Sequence, residues 1–161
     1  MYMTPSKMNL INGIIALPGT ALVIIPAIII LIFDYNTYID GHYSILGIIP
    51  LIIGLYLATI TTKMFFIKGK GTPAPWDPPI ELVTTGIYAR VRNPMITGVI
   101  LIIIGESIIL NSLSLLLWAA VFFVGNHLYF IFSEEPKLEK RFGKKYTEYR
   151  KRVPRWVPKI F

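Results

Sequence analysis

Long apolar runs separated by short polar stretches organise this chain. Residues 14–33, IIALPGTALVIIPAIIILIF, carry no charge, and about 20 apolar residues are what a helix needs to cross the hydrocarbon core of a bilayer. Pro18 and Pro26 should bend that helix. A second run covers 45–67, with Pro50 near its start and with Gly54 and Ala58 spaced for close helix packing. The third, 95–110, is short for a span and carries Glu106, read as a carboxyl near the outer end that reaches headgroups or water. The fourth covers 112–132. Asn111, Ser112 and Ser114 are turn formers, so the last two helices should make a tight antiparallel hairpin. After Glu135 the pattern changes: Pro136 suits a first helical turn, and Leu138, Phe142, Tyr146 and Tyr149 recur at spacings of three and four. That predicts an amphipathic helix over 136–152 at the cytosolic interface, with Trp156 and Phe161 behind it dipping into headgroups. The fold predicted is all-α and polytopic, with about four transmembrane helices and a C-terminal interfacial helix, in a single domain over 1–161.

Composition agrees with a bilayer as solvent. The 161 residues are 54% hydrophobic and 16% charged, against about a quarter charged in soluble domains, and mean hydropathy is +0.61. The absence of cysteine excludes disulfides, thiolate metal sites and a Cys nucleophile. Sixteen Lys and Arg face nine Asp and Glu, a balance that with this apolar content suits an anionic membrane surface rather than nucleic acid. Residues 34–44 and the turn after Leu110 contain no Lys or Arg. Positive residues stay cytoplasmic, so both termini and the 68–94 connection are expected in the cytosol. The first run is read as a retained anchor, because no small-x-small cleavage site follows it.

Three polar features stand out. His127 precedes Glu134 by seven residues, so a continuous helix would put both on nearly one face, with Asn126 beside it. Glu134 and Glu135 close the last span, where the helix dipole disfavours acids. They are either a solvated acidic helix end, with His127 a packing residue, or a pair that needs a cationic partner, an arginine or a ligand. In GIYARVRNPMITG (86–98), Gly86 permits a turn, and Pro94 biases Asn93 away from helix and opens the third span. Arg90 and Arg92 serve either as topology anchors or as part of a site. No phosphate-loop or dinucleotide motif is present.

Together these pieces resemble the integral-membrane methyltransferases related to isoprenylcysteine carboxyl methyltransferase and the phospholipid (phosphatidylethanolamine) N-methyltransferases. The resemblance rests on Gly86, Tyr88, RNP at 92–94, Gly98, EE at 134–135, FG at 142–143, Tyr146 and Tyr149, and it covers roughly 72–158. GTPAPWDPPIELVTTGIY, ahead of these, is similar to bacterial members. Asn93 stands where the family has a histidine, Thr97 where an aromatic is found, and Ile80 where eukaryotic-type members often carry a histidine.

The resemblance implies S-adenosylmethionine at the cytosolic ends of the last two spans. The implied cofactor site comprises Tyr88, Arg92, Asn93, Pro94, Gly98, His127, Glu134, Glu135, Tyr146 and Tyr149. In that reading the glutamates meet the cationic groups, Arg92 meets the carboxylate, and the tyrosines cover the adenine or face the sulfonium. Arg150, Arg152 and Arg155 are the residues expected to hold an anionic acceptor head in the catalytic region. Alanine at Glu134 or at Glu135 is expected to abolish cofactor binding with little loss of folding. The acceptor implied is lipophilic, a prenylcysteine-type carboxylate or a phospholipid amine, and the location a prokaryotic cell membrane. Two other readings are a membrane sterol-type NADPH reductase and a non-enzymatic four-helix accessory or transport protein.

Overall fold

The computed structural model describes residues 15–34, 41–71 and 79–158, which are helices, turns and loops with no strand among them. Ile14 at the start of the first apolar run, residues 35–40, the proline-rich stretch 72–78 and Phe161 lie outside the described residues. Five helical rods carry the fold. Helix α1 joins Ile15–Ile24 to Ile25–Phe33. Helix α2 is Ile45–Gly69, α3 is Pro94–Ile109, α4 is Leu113–Phe142 and α5 is Lys144–Arg152.

Helices α2 and α4, of 25 and 30 residues, are long and apolar enough to cross a membrane, while α1 and α3 are shorter apolar helices. Their large apolar side chains do not fill a core. Ile49, Ile52 and Tyr56 on α2, and Leu117, Val121 and Phe132 on α4, are each at least 59% exposed. A soluble helix of this composition would bury such residues, so an outward apolar surface of this extent calls for lipid.

The contact between α2 and α3 is the most extensive among the described residues, and glycine makes it. A Cβ added at Gly54 would lie 2.6 Å from the carbonyl oxygen of Gly98, and one at Gly47 would lie 2.6 Å from that of Gly105. Backbone therefore meets backbone at two levels, seven residues apart on each helix, which permits Cα–H···O contacts in place of side-chain interdigitation. The hairpin between α3 and α4 follows from its turn residues. Asn111 is left-handed at φ +49, and Ser112 caps α4 by accepting from the Leu115 N–H at 3.0 Å. Ser112 and Ser114 both donate to the Asp34 carboxylate at the end of α1, which ties α1 to the hairpin. Between the helices lie Ala21, Val99, Ile103 and Ala119, flanked by Trp118 and Phe122.

At the other end of the bundle the structure departs from the sequence reading. The helix expected over 112–132 runs on to Phe142, and the interfacial helix expected over 136–152 is two pieces. Gly143 separates them at φ +56 and ψ −133, a conformation that glycine adopts far more readily than other residues. Pro136 cannot donate to the helical ladder and crowds the carbonyl four residues back. The chain widens to a π turn over Phe130–Glu134 just before it, and the rod continues past the proline. The apolar part of α4 ends at Phe132, and the charged part begins at Glu134. Tyr146, Tyr149 and Val153 then pack with Leu82, Leu138 and Phe142, fastening α5 to the segment that leads into residue 86.

Candidate functional site

Gly86 opens the site with φ +60, starting a single 3-10 turn over Gly86–Ala89 that drives Tyr88 inward. The Tyr88 ring stacks on Phe65 with centroids 5.3 Å apart, and its carbonyl accepts from the Tyr149 hydroxyl at 2.7 Å. Pro94, fully buried, begins α3. Ahead of it the backbone is open, and the tail after α5 fills it: Arg92 N–H donates to Pro154 O at 2.9 Å and Asn93 N–H to Arg155 O at 3.3 Å. The Asn93 side chain makes no cap hydrogen bond, while its carbonyl accepts from the Thr97 hydroxyl at 3.0 Å.

Glu135 is the hub. Arg92 Nη1 donates to its Oε1 at 2.8 Å, and Arg155 reaches the same oxygen from Nε and Nη2, each at 2.8 Å. Arg150 stands 4.0 Å from Oε2 and pairs with Glu139 at 3.2 Å. The side chains of Arg92 and Glu135 are each only 10% exposed. Arg92 also donates from Nε to Val153 O at 3.0 Å and from Nη1 to the Tyr146 hydroxyl at 3.4 Å. Burial works to raise the Glu135 carboxyl, yet Arg155 and Arg92 hold it below the usual carboxylate range. The helix runs on past this acid to Phe142, so Glu135 is not a helix-end residue; its cationic partners lie within the protein, and a buried charge requires that.

Glu134 differs. It is half-buried, and it makes no hydrogen bond or ion pair among the described residues. Burial first, then the neighbouring Glu135, push its carboxyl up to about 7, with Lys137 acting the other way. Its charge reaches the phenols of Tyr88 and Tyr146. Tyr88, Tyr146 and Tyr149 are 3–4% exposed, and burial raises all three phenols above their ordinary value. Tyr88 and Tyr146 lie within electrostatic reach of Glu134, and all three rings are enclosed rather than open faces. An unpaired carboxylate near protonated phenols suits the cationic part of a ligand.

Other expected site residues lie elsewhere. Gly98 faces α2, where a Cβ would come 2.9 Å from Gly54 O. Between His127 and Glu134 the helix passes through the π turn Phe130–Glu134, and His127 is held by the tail. Its Nδ1 accepts from Trp156 Nε1 at 2.9 Å, and Trp156 also packs on Phe123 and Phe130 at 5.0 and 5.7 Å. Arg155 and Arg150 are engaged with glutamates, whereas Arg152 is exposed on α5. In the tail Val153–Trp156 the sequence places the Arg155 side chain in the site, but it does not show that the tail's backbone carbonyls hold Arg92 and Asn93. The signal for that backbone contact was Pro154, which favours extended backbone at the preceding residue.

Residues 43–145 match the family model described as phospholipid methyltransferase. Protein-S-isoprenylcysteine O-methyltransferase of Schizosaccharomyces pombe is 41% identical over 83 residues, covering 49% of this chain and 34% of that one. Protein-S-isoprenylcysteine O-methyltransferase B of Arabidopsis thaliana is 37% identical over 82 residues, covering 48% and 40%. The matched segments thus span about a third to two fifths of the length of these relatives.

Proposed function

Since the chain belongs to the phospholipid methyltransferase family, we propose that it transfers a methyl group from S-adenosylmethionine to a lipid-type acceptor at the cytosolic face of a membrane. One observation carries this reading. Glu135, inside the matched segment, and Arg92 bring the 86–94 turn against α4, Arg155 joins them from the tail beyond that segment, and Glu134 is left without an ion-pair partner among the described residues. Helices α1 to α3 and the apolar part of α4, up to Phe132, serve as the four spans, α5 lies along the interface, and the site faces the cytosol where the basic residues gather.

When bound, S-adenosylmethionine supplies a methyl group on a positively charged sulfur. Glu134 is the group that would hold its cationic part. Arg92, Asn93 and Pro94 form the adjoining wall, and the enclosed Tyr88, Tyr146 and Tyr149 help to exclude water beside it. Methyl transfer is an in-line displacement, so the protein's task is alignment at roughly 3 Å and exclusion of water. A carboxylate acceptor requires no general base, because opposite charges cancel as the transition state forms and a low-dielectric site favours that. The two relatives are named for isoprenylcysteine O-methylation, which supports a prenylcysteine-type carboxylate; a phospholipid amine is the acceptor suggested by the family's description.

The test is calorimetric titration of the purified, folded protein with S-adenosylmethionine and with its demethylated product. Binding of both is expected; binding of neither overturns the reading. Membranes incubated with methyl-labelled cofactor then identify the acceptor.

A further inference from the structure

Beside the Glu135 hub, α5 and the tail border a shallow surface groove of about 470 Å³ lined by Arg92, Arg150, Lys151, Arg152, Val153, Pro154 and Val157. Four of these side chains are cationic and none is acidic. Arg92 and Arg150 are already paired with Glu135 and Glu139. Lys151 and Arg152 are exposed and make no hydrogen bond or ion pair among the described residues. The rest of the lining is apolar, and Val157 is 76% exposed.

The depth of the groove follows from its neighbour. Trp156, next to Val157, is fastened to His127, Phe123 and Phe130 on the apolar stretch of α4. Its apolar end is therefore level with lipid-facing helix surface, where Leu128 and Phe132 are 47% and 76% exposed. Its cationic rim stands beyond that surface.

We propose that this groove binds the headgroup phosphate of an anionic membrane phospholipid, with Lys151 and Arg152 on the phosphate and Val153, Pro154 and Val157 against the start of the acyl chains. Arginine and lysine are the side chains that recognise phosphate, and the chemistry changes from charged to apolar in the same direction as in the lipid. The inference does not depend on methyl transfer.

Native mass spectrometry of the whole chain, released from vesicles of phosphatidylglycerol and phosphatidylcholine in equal parts, tests it. Phosphatidylglycerol carries neither amine nor carboxylate, so its retention is read separately from any methylation. It is expected to be retained in preference to phosphatidylcholine. Changing Lys151→Ala and Arg152→Ala together should weaken retention by at least roughly tenfold, the loss expected when charge-assisted hydrogen bonds to phosphate are removed. The control pair Lys144→Ala and Lys145→Ala removes the same charge from exposed positions on α5 outside the groove and should largely preserve retention. Equal losses from both pairs reveal bulk charge attraction and overturn the site, as does no loss from the first. Val157→Glu, which sets a carboxylate at the apolar end, gives the same expected loss by an independent route, and retention unchanged in it also overturns the proposal.

Discussion

Two adjacent glutamates, identical in chemistry, stand in opposite electrostatic situations. Glu135 accepts short hydrogen bonds from Arg92 and Arg155, whereas Glu134 has burial and a negative neighbour. From the sequence the pair reads as equivalent, because nothing in EE shows which carboxylate meets the arginines. That choice depends on the π turn and on a tail 20 residues away. The expectation that alanine at either position spares folding is therefore revised. Glu135→Ala strands two arginines, one of them 10% exposed. It should destabilise the fold by about 3 kcal/mol, as breaking a buried pair does, measured by denaturation in detergent micelles. Glu134→Gln should melt no lower than the wild type at neutral pH and lose cofactor binding in calorimetry. Normal binding by Glu134→Gln would falsify the assigned role.

A pH dependence follows with a definite sign. The raised carboxyl of Glu134, near 7, is protonated below that pH and then cannot hold a cation. Cofactor affinity should rise with pH, about eightfold between pH 6 and pH 7.5. For stability the direction is opposite. The folded protein keeps this proton more tightly than the unfolded chain, so the contribution of Glu134 falls as pH rises from about 4.5 to 7. Glu134→Gln should flatten both profiles.

Among the elements, the pairing of α2 with α3 was half legible. Gly54 stood out by its small-residue spacing, but Gly98 was drawn to the cofactor because it follows the Asn-Pro turn. Its contact with Gly54 depends on helix rotation, which an apolar run does not encode when nearly every position is apolar. Gly54→Leu forces a side chain onto the Gly98 carbonyl, 2.6 Å from the added Cβ. It should destabilise by at least about 2 kcal/mol. Gly125 on α4 has nothing within 4 Å of an added Cβ, so Gly125→Ala should be neutral or stabilise by up to about 1 kcal/mol. Thermal melts of the two variants decide the contrast. Over 136–152 the three-and-four spacing survives the break at Gly143, so periodicity alone reads two helices as one.

For the molecule as a whole, hydropathy and turn chemistry were enough to anticipate a helical membrane protein with an α3–α4 hairpin. What stayed hidden was the course of the tail's backbone, since its bonds to Arg92 and Asn93 come from backbone carbonyls that any residue supplies. Trp156 was assigned to the headgroups, yet it is fixed to His127. Trp156→Ala removes that hydrogen bond and the ring contacts with Phe123 and Phe130. It should cost about 3 kcal/mol and weaken cofactor binding by loosening the turn, which melting and titration on the same sample would show.

The pairing of residues 92 and 93 with 154 and 155 also sets an order in time. Synthesis runs from the amino end, so the turn before α3 is made some sixty residues ahead of the carbonyls that complete it. During that interval the hairpin can insert while Arg92 still lacks the tail. Assembly of the site is therefore a late event in biogenesis, separable from insertion. A nascent chain arrested before residue 153 should be integrated in the membrane and unable to bind its cofactor.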